Sequence, residues 1–241
     1  MLVGDLGGTV LSGGLAVGYR PMQVHLGNAD SGMKVELLEP WRADENDFLD
    51  RFVTRHGDGP HHLTFKVDDL QQALEYVAAA GLVPVGVDLS YPIWKEAFLQ
   101  PRDSHGTVVQ LAESSSTEKS ALDEYALVAA RGVRLMEGEG SEQWWPDPPP
   151  RAPDVTFLRR IVMATPDLSA TRDFFTGLLG GTEASSRKDR MDLTWPGGGC
   201  IRLEARADRP AGIDRLELEG PGPARELVTA GTRFVVEPPS P

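Results

Sequence analysis

Three stretches in the first half of the chain alternate apolar and polar residues. In Val35-Glu36-Leu37 and Val109-Gln110-Leu111 one polar residue sits between two apolar ones, and in His62-Leu63-Thr64-Phe65-Lys66-Val67 every second residue is apolar. A period of two puts each set on one face of a β-sheet. The Val, Leu and Phe positions therefore face a core, and Glu36, His62, Thr64 and Gln110 share the other face. Two other stretches carry a helical period instead. Leu70, Leu74, Val77 and Ala78 follow Asp69 and stop at Gly81, while Phe174, Phe175, Leu178 and Leu179 follow Asp167 and stop at Gly180-Gly181. In each the Asp is placed to cap the helix start and the Gly to end it.

These patterns repeat. Gly4-Asp5-Leu6-Gly7-Gly8-Thr9 returns as Gly177-Leu178-Leu179-Gly180-Gly181-Thr182 with five of six residues identical. The run from His62 to Leu70 has a looser echo from Arg160 to Leu168. The repeating unit reads as βαβββ, nearly whole at 61–113 and at 155–206, with partial copies at 1–40 and 212–238. The sequence thus predicts an α+β fold of repeated βαβββ modules, with curved, mainly antiparallel, cup-like sheets and helices outside. Between the halves, residues 114–154 read as a linker, because Pro146, Pro148, Pro149, Pro150 and Pro153 withhold backbone donors and fix φ. Its middle, Glu118 to Leu135, is spaced for a helix. Trp144 and Trp145 read as a hydrophobic clip onto one lobe or, alternatively, as a ligand-stacking pair. The expected division is one lobe at 1–113, the linker at 114–154 and a second lobe at 155–241.

Composition narrows the function classes. The 241 residues carry 36 acidic and 24 basic side chains, a formal charge of −12, which disfavours nucleic acid and anionic membranes as partners. The single cysteine, Cys200, cannot form an internal disulfide, as suits a reducing cytosol. Met1 to Val17 carries Asp5 and no basic leader, so neither a signal peptide nor a membrane span is expected. A cytoplasmic protein with a small-molecule substrate or ligand, and a possible homodimer, fits these readings.

If the sheet curls, Glu36, His62 and Gln110 converge inside the cup. A carboxylate, an imidazole and an amide oxygen can ligate a divalent cation; the competing reading is a solvated sheet face.

The runs Lys34-Val35-Glu36-Leu37-Leu38-Glu39-Pro40, Gly59-Pro60-His61-His62-Leu63-Thr64-Phe65-Lys66-Val67-Asp68-Asp69-Leu70 and His105-Gly106-Thr107-Val108-Val109-Gln110-Leu111 resemble the vicinal-oxygen-chelate superfamily. The resemblance is greatest to its methylmalonyl-CoA epimerase and glyoxalase I branch. It implies a cup holding Zn, Mn, Ni, Fe, Co or Mg, where a substrate chelated through neighbouring oxygens passes through an enolate or enediolate. Carried over, the metal ligands fall on Glu36, His62 (preferred to His61 by strand phase) and Gln110, and the catalytic positions on Glu36 and Gln110. The family's usual glutamate proton shuttle falls on Gln110, a neutral amide that cannot accept a proton. The family's opening histidine has no counterpart, since the Gly-Gly-Thr alignment starts this sequence inside the following helix. With three donors, the ion is expected to bind weakly. His25 and His105 are expected to be structural or solvated. In the second half the same positions become Arg160, Arg202 and Arg215, which repel a cation and read as pairing with Asp192, Glu204, Glu217 or Glu219, or as an anion pocket. The implied function is a metal-dependent lyase, isomerase or epimerase on a small oxygenated or thioester substrate. The alternatives are a non-catalytic protein that sequesters a small molecule and a degenerate scaffold.

Overall fold

The computed structural model describes residues 1–115, 121–131, 134–135 and 149–239. In chain order they form β1 (Thr9–Gly13), β2 (Tyr19–Gly27), β3 (Gly32–Pro40), α1 (Phe48–His56), β4 (His62–Lys66), α2 (Leu70–Ala79), β5 (Val85–Asp88), β6 (Trp94–Leu99) and β7 (Val108–Ser114). There follow α3 (Ala121–Arg131), β8 (Arg134–Leu135), β9 (Phe157–Thr165), α4 (Leu168–Gly177), β10 (Thr182–Ser186), β11 (Arg190–Thr194) and β12 (Cys200–Ala205). The chain ends with β13 (Gly212–Glu219), β14 (Arg225–Thr229) and β15 (Thr232–Glu237). The fold is α+β, built of open, curved, mixed sheets with few helices. Trp144 and Trp145 lie outside the described residues; within the expected Glu118–Leu135 helix, Ala121–Arg131 is helical as α3 and Arg134–Leu135 is strand β8.

The chain forms two compact units: Met1–Gly59 with Ser120–Arg159 and Leu216–Pro241, and Pro60–Lys119 with Arg160–Arg215. This grouping differs from lobes at 1–113 and 155–241, because each unit draws strands from both halves.

The second unit holds the two whole repeats, and they share one topology. One runs β4-β7-β6-β5 and the other, read from its opening strand, β9-β12-β11-β10. In each the opening strand pairs parallel with the last, β4 with β7 and β9 with β12, and the other neighbours are antiparallel. The sheets are therefore mixed but mainly antiparallel, as the sequence pointed to. The helix after the opening strand acts as a crossover, and a crossover returns the chain parallel to where it left.

Both helices start as the sequence predicts: the Asp69 carboxylate accepts from Gln72 N–H and that of Asp167 from Ala170 N–H, each at 2.9 Å. Such caps contribute about 1 kcal/mol each. Leu70 and Val77 are fully buried, but Ala78 is exposed and Ala73 packs on the core in its place. Leu63, Met163, Phe175, Met191, Leu193, Ile201 and Leu203 form one core, with Phe65 and Trp195 against it. Leu63 and Phe65 thus pack with residues about a hundred positions downstream, which is what unites the two repeats.

The first unit is less regular. Its sheet runs β3-β2-β1-β8, antiparallel except for β8, and α1 and α3 both contact β3. The end of β13 pairs parallel with β15, and β14 pairs antiparallel with β15, with no helix between β13 and β14. No described helix is long and apolar enough to cross a membrane.

Candidate metal and substrate residues

Glu36 lies on β3 in the first unit, while His62 and Gln110 lie in the second. On β3, Glu36 stands directly across from Gln23 of β2, and the Gln23 amide donates to its carboxylate at 3.0 Å. Gln23 Oε1 in turn accepts from Lys34 Nζ at 3.1 Å and from Ser12 Oγ at 3.3 Å. Lys34 also pairs with Glu124 of α3 at 2.7 Å. This chain of donors fixes which way the Gln23 amide faces, and so fixes Glu36. The Glu36 side chain keeps solvent access, yet the surrounding protein raises its carboxyl pKa by desolvation, against lowering contributions from Gln23 and Lys34. The surface area decides what can reach it: a ligand or a proton can.

In the second unit, β4 and β7 pair in register so that Thr64 lies opposite Gln110, and Phe98 of β6 flanks Gln110 on its other side. Gln110 is buried and its amide is used at both ends. Nε2 donates to Glu96 Oε2 at 2.7 Å, and Oε1 accepts from Thr64 Oγ1 at 2.6 Å. Trp94 Nε1 also donates to Glu96 Oε2, at 2.8 Å. A carboxylate only accepts, so Glu96 forces the NH₂ end of Gln110 toward itself and the oxygen toward Thr64 and His62.

His62 hydrogen bonds the Gln110 side chain, which raises its pKa, but burial dominates and lowers it to about 4. Burial, then the neighbouring His62, lowers His61 to about 4 as well. The two Nδ1 atoms stand 2.9 Å apart, with the rings edge to face. At neutral pH both imidazoles are uncharged and carry lone pairs for a metal or a proton.

The structure therefore joins His62 and Gln110 directly. It also adds groups the sequence reading passed over: Glu96 and Trp94, which orient Gln110; Gln23, which orients Glu36; and His61. Glu96 shares a strand phase with Trp94 and Phe98, but apolar Ala97 and Leu99 in the opposite phase blur the alternation. Among the described residues, no group of three or more His, Cys, Asp or Glu side chains is arranged to hold a metal ion.

Two of the arginines at the second half's ligand positions form bidentate ion pairs. Arg202 bridges Asp192 through two bonds, at 2.6 and 2.9 Å, and Arg215 bridges Glu204 at 2.7 and 3.0 Å. Burial works to raise the Asp192 carboxyl, but the hydrogen bond and charge of Arg202 outweigh it and hold it low. These pairs match the structural reading of that sheet face. His25 is fully buried, with Nε2 3.1 Å from the Asn28 carbonyl. His105 Nδ1 lies 3.0 Å from Thr171 Oγ1 with its ring against Phe174. Both are structural.

Residues 3–92 match the profile of the Glyoxalase/Bleomycin resistance protein/Dioxygenase superfamily. A hypothetical protein from Staphylococcus aureus has a similar fold, with a TM-score of 0.63 at 9% identity over 92% of this chain and 86% of that one. A methylmalonyl-CoA epimerase from Streptomyces coelicolor, in complex with 2-nitronate-propionyl-CoA, gives 0.41 at 22% identity over 47% of this chain and 82% of its own. The methylmalonyl-CoA epimerase from Mycobacterium tuberculosis gives 0.40 at 19% identity over 46% and 75%. No curated protein matches this chain.

Proposed function

Because residues 3–92 match the profile of the glyoxalase/bleomycin resistance/dioxygenase superfamily, we propose that this protein is a glyoxalase-like, divalent-metal-dependent lyase, isomerase or epimerase. Its substrate is a small oxygenated molecule or thioester. The observation that carries this reading is the state of His62: a neutral imidazole, hydrogen bonded to Gln110, whose amide Glu96 orients. Metal-binding histidines commonly have one ring nitrogen held by such a partner, which fixes the tautomer and aims the other nitrogen.

The donor set fits a divalent cation in part. Glu36 offers an accessible carboxylate and His62 an imidazole. Gln110 Oε1 accepts from Thr64 and also faces His62, so it must give up a hydrogen bond before it can ligate a cation. Gln110 therefore serves mainly to position His62. A bound Zn²⁺, Mn²⁺, Ni²⁺, Fe²⁺, Co²⁺ or Mg²⁺ would act as a Lewis acid, stabilising negative charge on a substrate oxygen. Glu36 is the proton acceptor. Its raised pKa brings it nearer neutrality, where a base both takes up and returns a proton well. Gln23 keeps that carboxylate aimed while the proton moves.

The second reading is a protein that binds a small molecule without converting it. The engaged amide of Gln110 favours it, since a glutamine there cannot relay a proton. A homodimer and a cytoplasmic location belong to the same proposal. The first is supported by exposed Val85 and Val87 on β5, the edge strand of its sheet, and the second by the lone Cys200. Calorimetric titration of Mn²⁺ or Ni²⁺ into dialysed protein tests the metal reading. Wild type should bind weakly and His62→Ala not at all; equal binding by both would remove His62 from the site.

A further inference from the structure

We infer that His61 and His62 act together as a two-nitrogen chelate, with His61 supplying a metal donor that strand phase alone assigns to His62. The inference rests on the reading above that the chain holds a divalent cation. β4 begins at His62, so His61 precedes the strand and is free of its alternation. As a result both rings turn to the same place, with Nδ1 facing Nδ1 at 2.9 Å.

That separation has a coordination geometry built into it. With metal–nitrogen bonds of about 2.1 Å, two nitrogens 2.9 Å apart subtend roughly 90° at the ion. This is the angle between adjacent ligands of an octahedron, the geometry Ni²⁺ and Co²⁺ accept in nitrogen and oxygen sites. A tetrahedral ion would need the nitrogens about 3.3 Å apart, so zinc should be held less well than its place in the general affinity order suggests.

Without a cation the contact must be a hydrogen bond, one Nδ1 donating and the other accepting. On metal binding the donor ring moves its proton to Nε2, and both Nδ1 lone pairs turn to the ion. In this arrangement His62 keeps its hydrogen bond to the Gln110 side chain, which Glu96 holds in place through the amide Nε2. Thus Gln110 need not ligate the ion to matter to it. The two rings are chain neighbours, so the site forms without bringing distant segments together.

The test is a Co²⁺ titration followed by its visible absorption, with Ni²⁺ calorimetry in parallel, on wild type, His61→Ala, His61→Gln and His62→Ala. Circular dichroism melts check that each variant is folded. We expect His61→Ala and His61→Gln to weaken binding about 10- to 100-fold and to shift the Co²⁺ bands as an imidazole is lost. X-ray absorption of the Ni²⁺-loaded wild type should count two imidazoles. If wild type binds and both His61 variants match it in affinity and spectrum, the chelate is overturned while the metal reading stands. If wild type itself binds neither ion, both fall.

Discussion

The His61–His62 pair makes stability depend on pH in a window where few other groups titrate. Both rings have folded pKa values of about 4 against an ordinary 6.5. The unfolded chain therefore binds more protons than the folded one between these values, and stability falls as pH falls. The contribution is fully present above pH 6.5, declines through the window, and is exhausted below about 4. For one group, moving from pH 7.5 to 5 costs about 2 kcal/mol at one pKa unit per 1.36 kcal/mol. Both side chains are partly exposed and share one contact, so we halve this and expect about 2 kcal/mol for the pair. The assay is urea unfolding from pH 7.5 to 5, on wild type and on His61→Gln/His62→Gln. His25 and His105, also lowered, and Glu36, raised and of opposite sign, are common to both proteins and cancel in the difference. The lowered carboxyls of Asp192, Asp208 and Asp214 act below pH 4, outside the window. Wild type should lose about 2 kcal/mol more than the double variant. Parallel stability curves would mean the two imidazoles are not held neutral by burial, and the reasoning from them would fail.

Other expectations follow from the packing. Gly106 has φ of +94°, and an added Cβ would lie 2.2 Å from the Ala211 carbonyl oxygen, so Gly106→Ala should cost about 2–4 kcal/mol in urea unfolding. Arg202→Ala strands the Asp192 carboxylate and should cost about 1–3 kcal/mol, with a melt that recovers partly as pH drops toward 4. The stretch from Val83 to Ile93 exposes Val83, Val85, Val87, Leu89, Tyr91 and Ile93. If it is where two copies meet, Val87→Lys should convert a dimer to a monomer by light scattering without changing the melting temperature.

Much of the second unit was readable in the sequence because its signals are local. Leu63, Phe65, Val109 and Leu111 alternate cleanly, and Asp69 and Asp167 sit where caps must sit. That the pairing is mainly antiparallel was readable too, but nothing in β4 or β7 says that these two strands pair with each other in parallel. The grouping of residues into units was unreadable for a similar reason. It depends on Leu63 meeting Met163 and Phe175, a choice between many equally apolar partners. At the site, His62 and Gln110 were found by phase. His61 was set aside by the same argument, which holds only within a strand, and His61 lies one residue before it. Glu96 was missed because Trp94-Lys95-Glu96-Ala97-Phe98 alternates too weakly to announce a face, although its carboxylate is what orients Gln110.

The proposed function requires that His62 hold a divalent cation. Anomalous diffraction from crystals soaked in Ni²⁺ tests it most directly. We expect a peak about 2.0–2.2 Å from a ring nitrogen of His62. A bound ion that does not touch His62, or no bound ion at all, would overturn that reading.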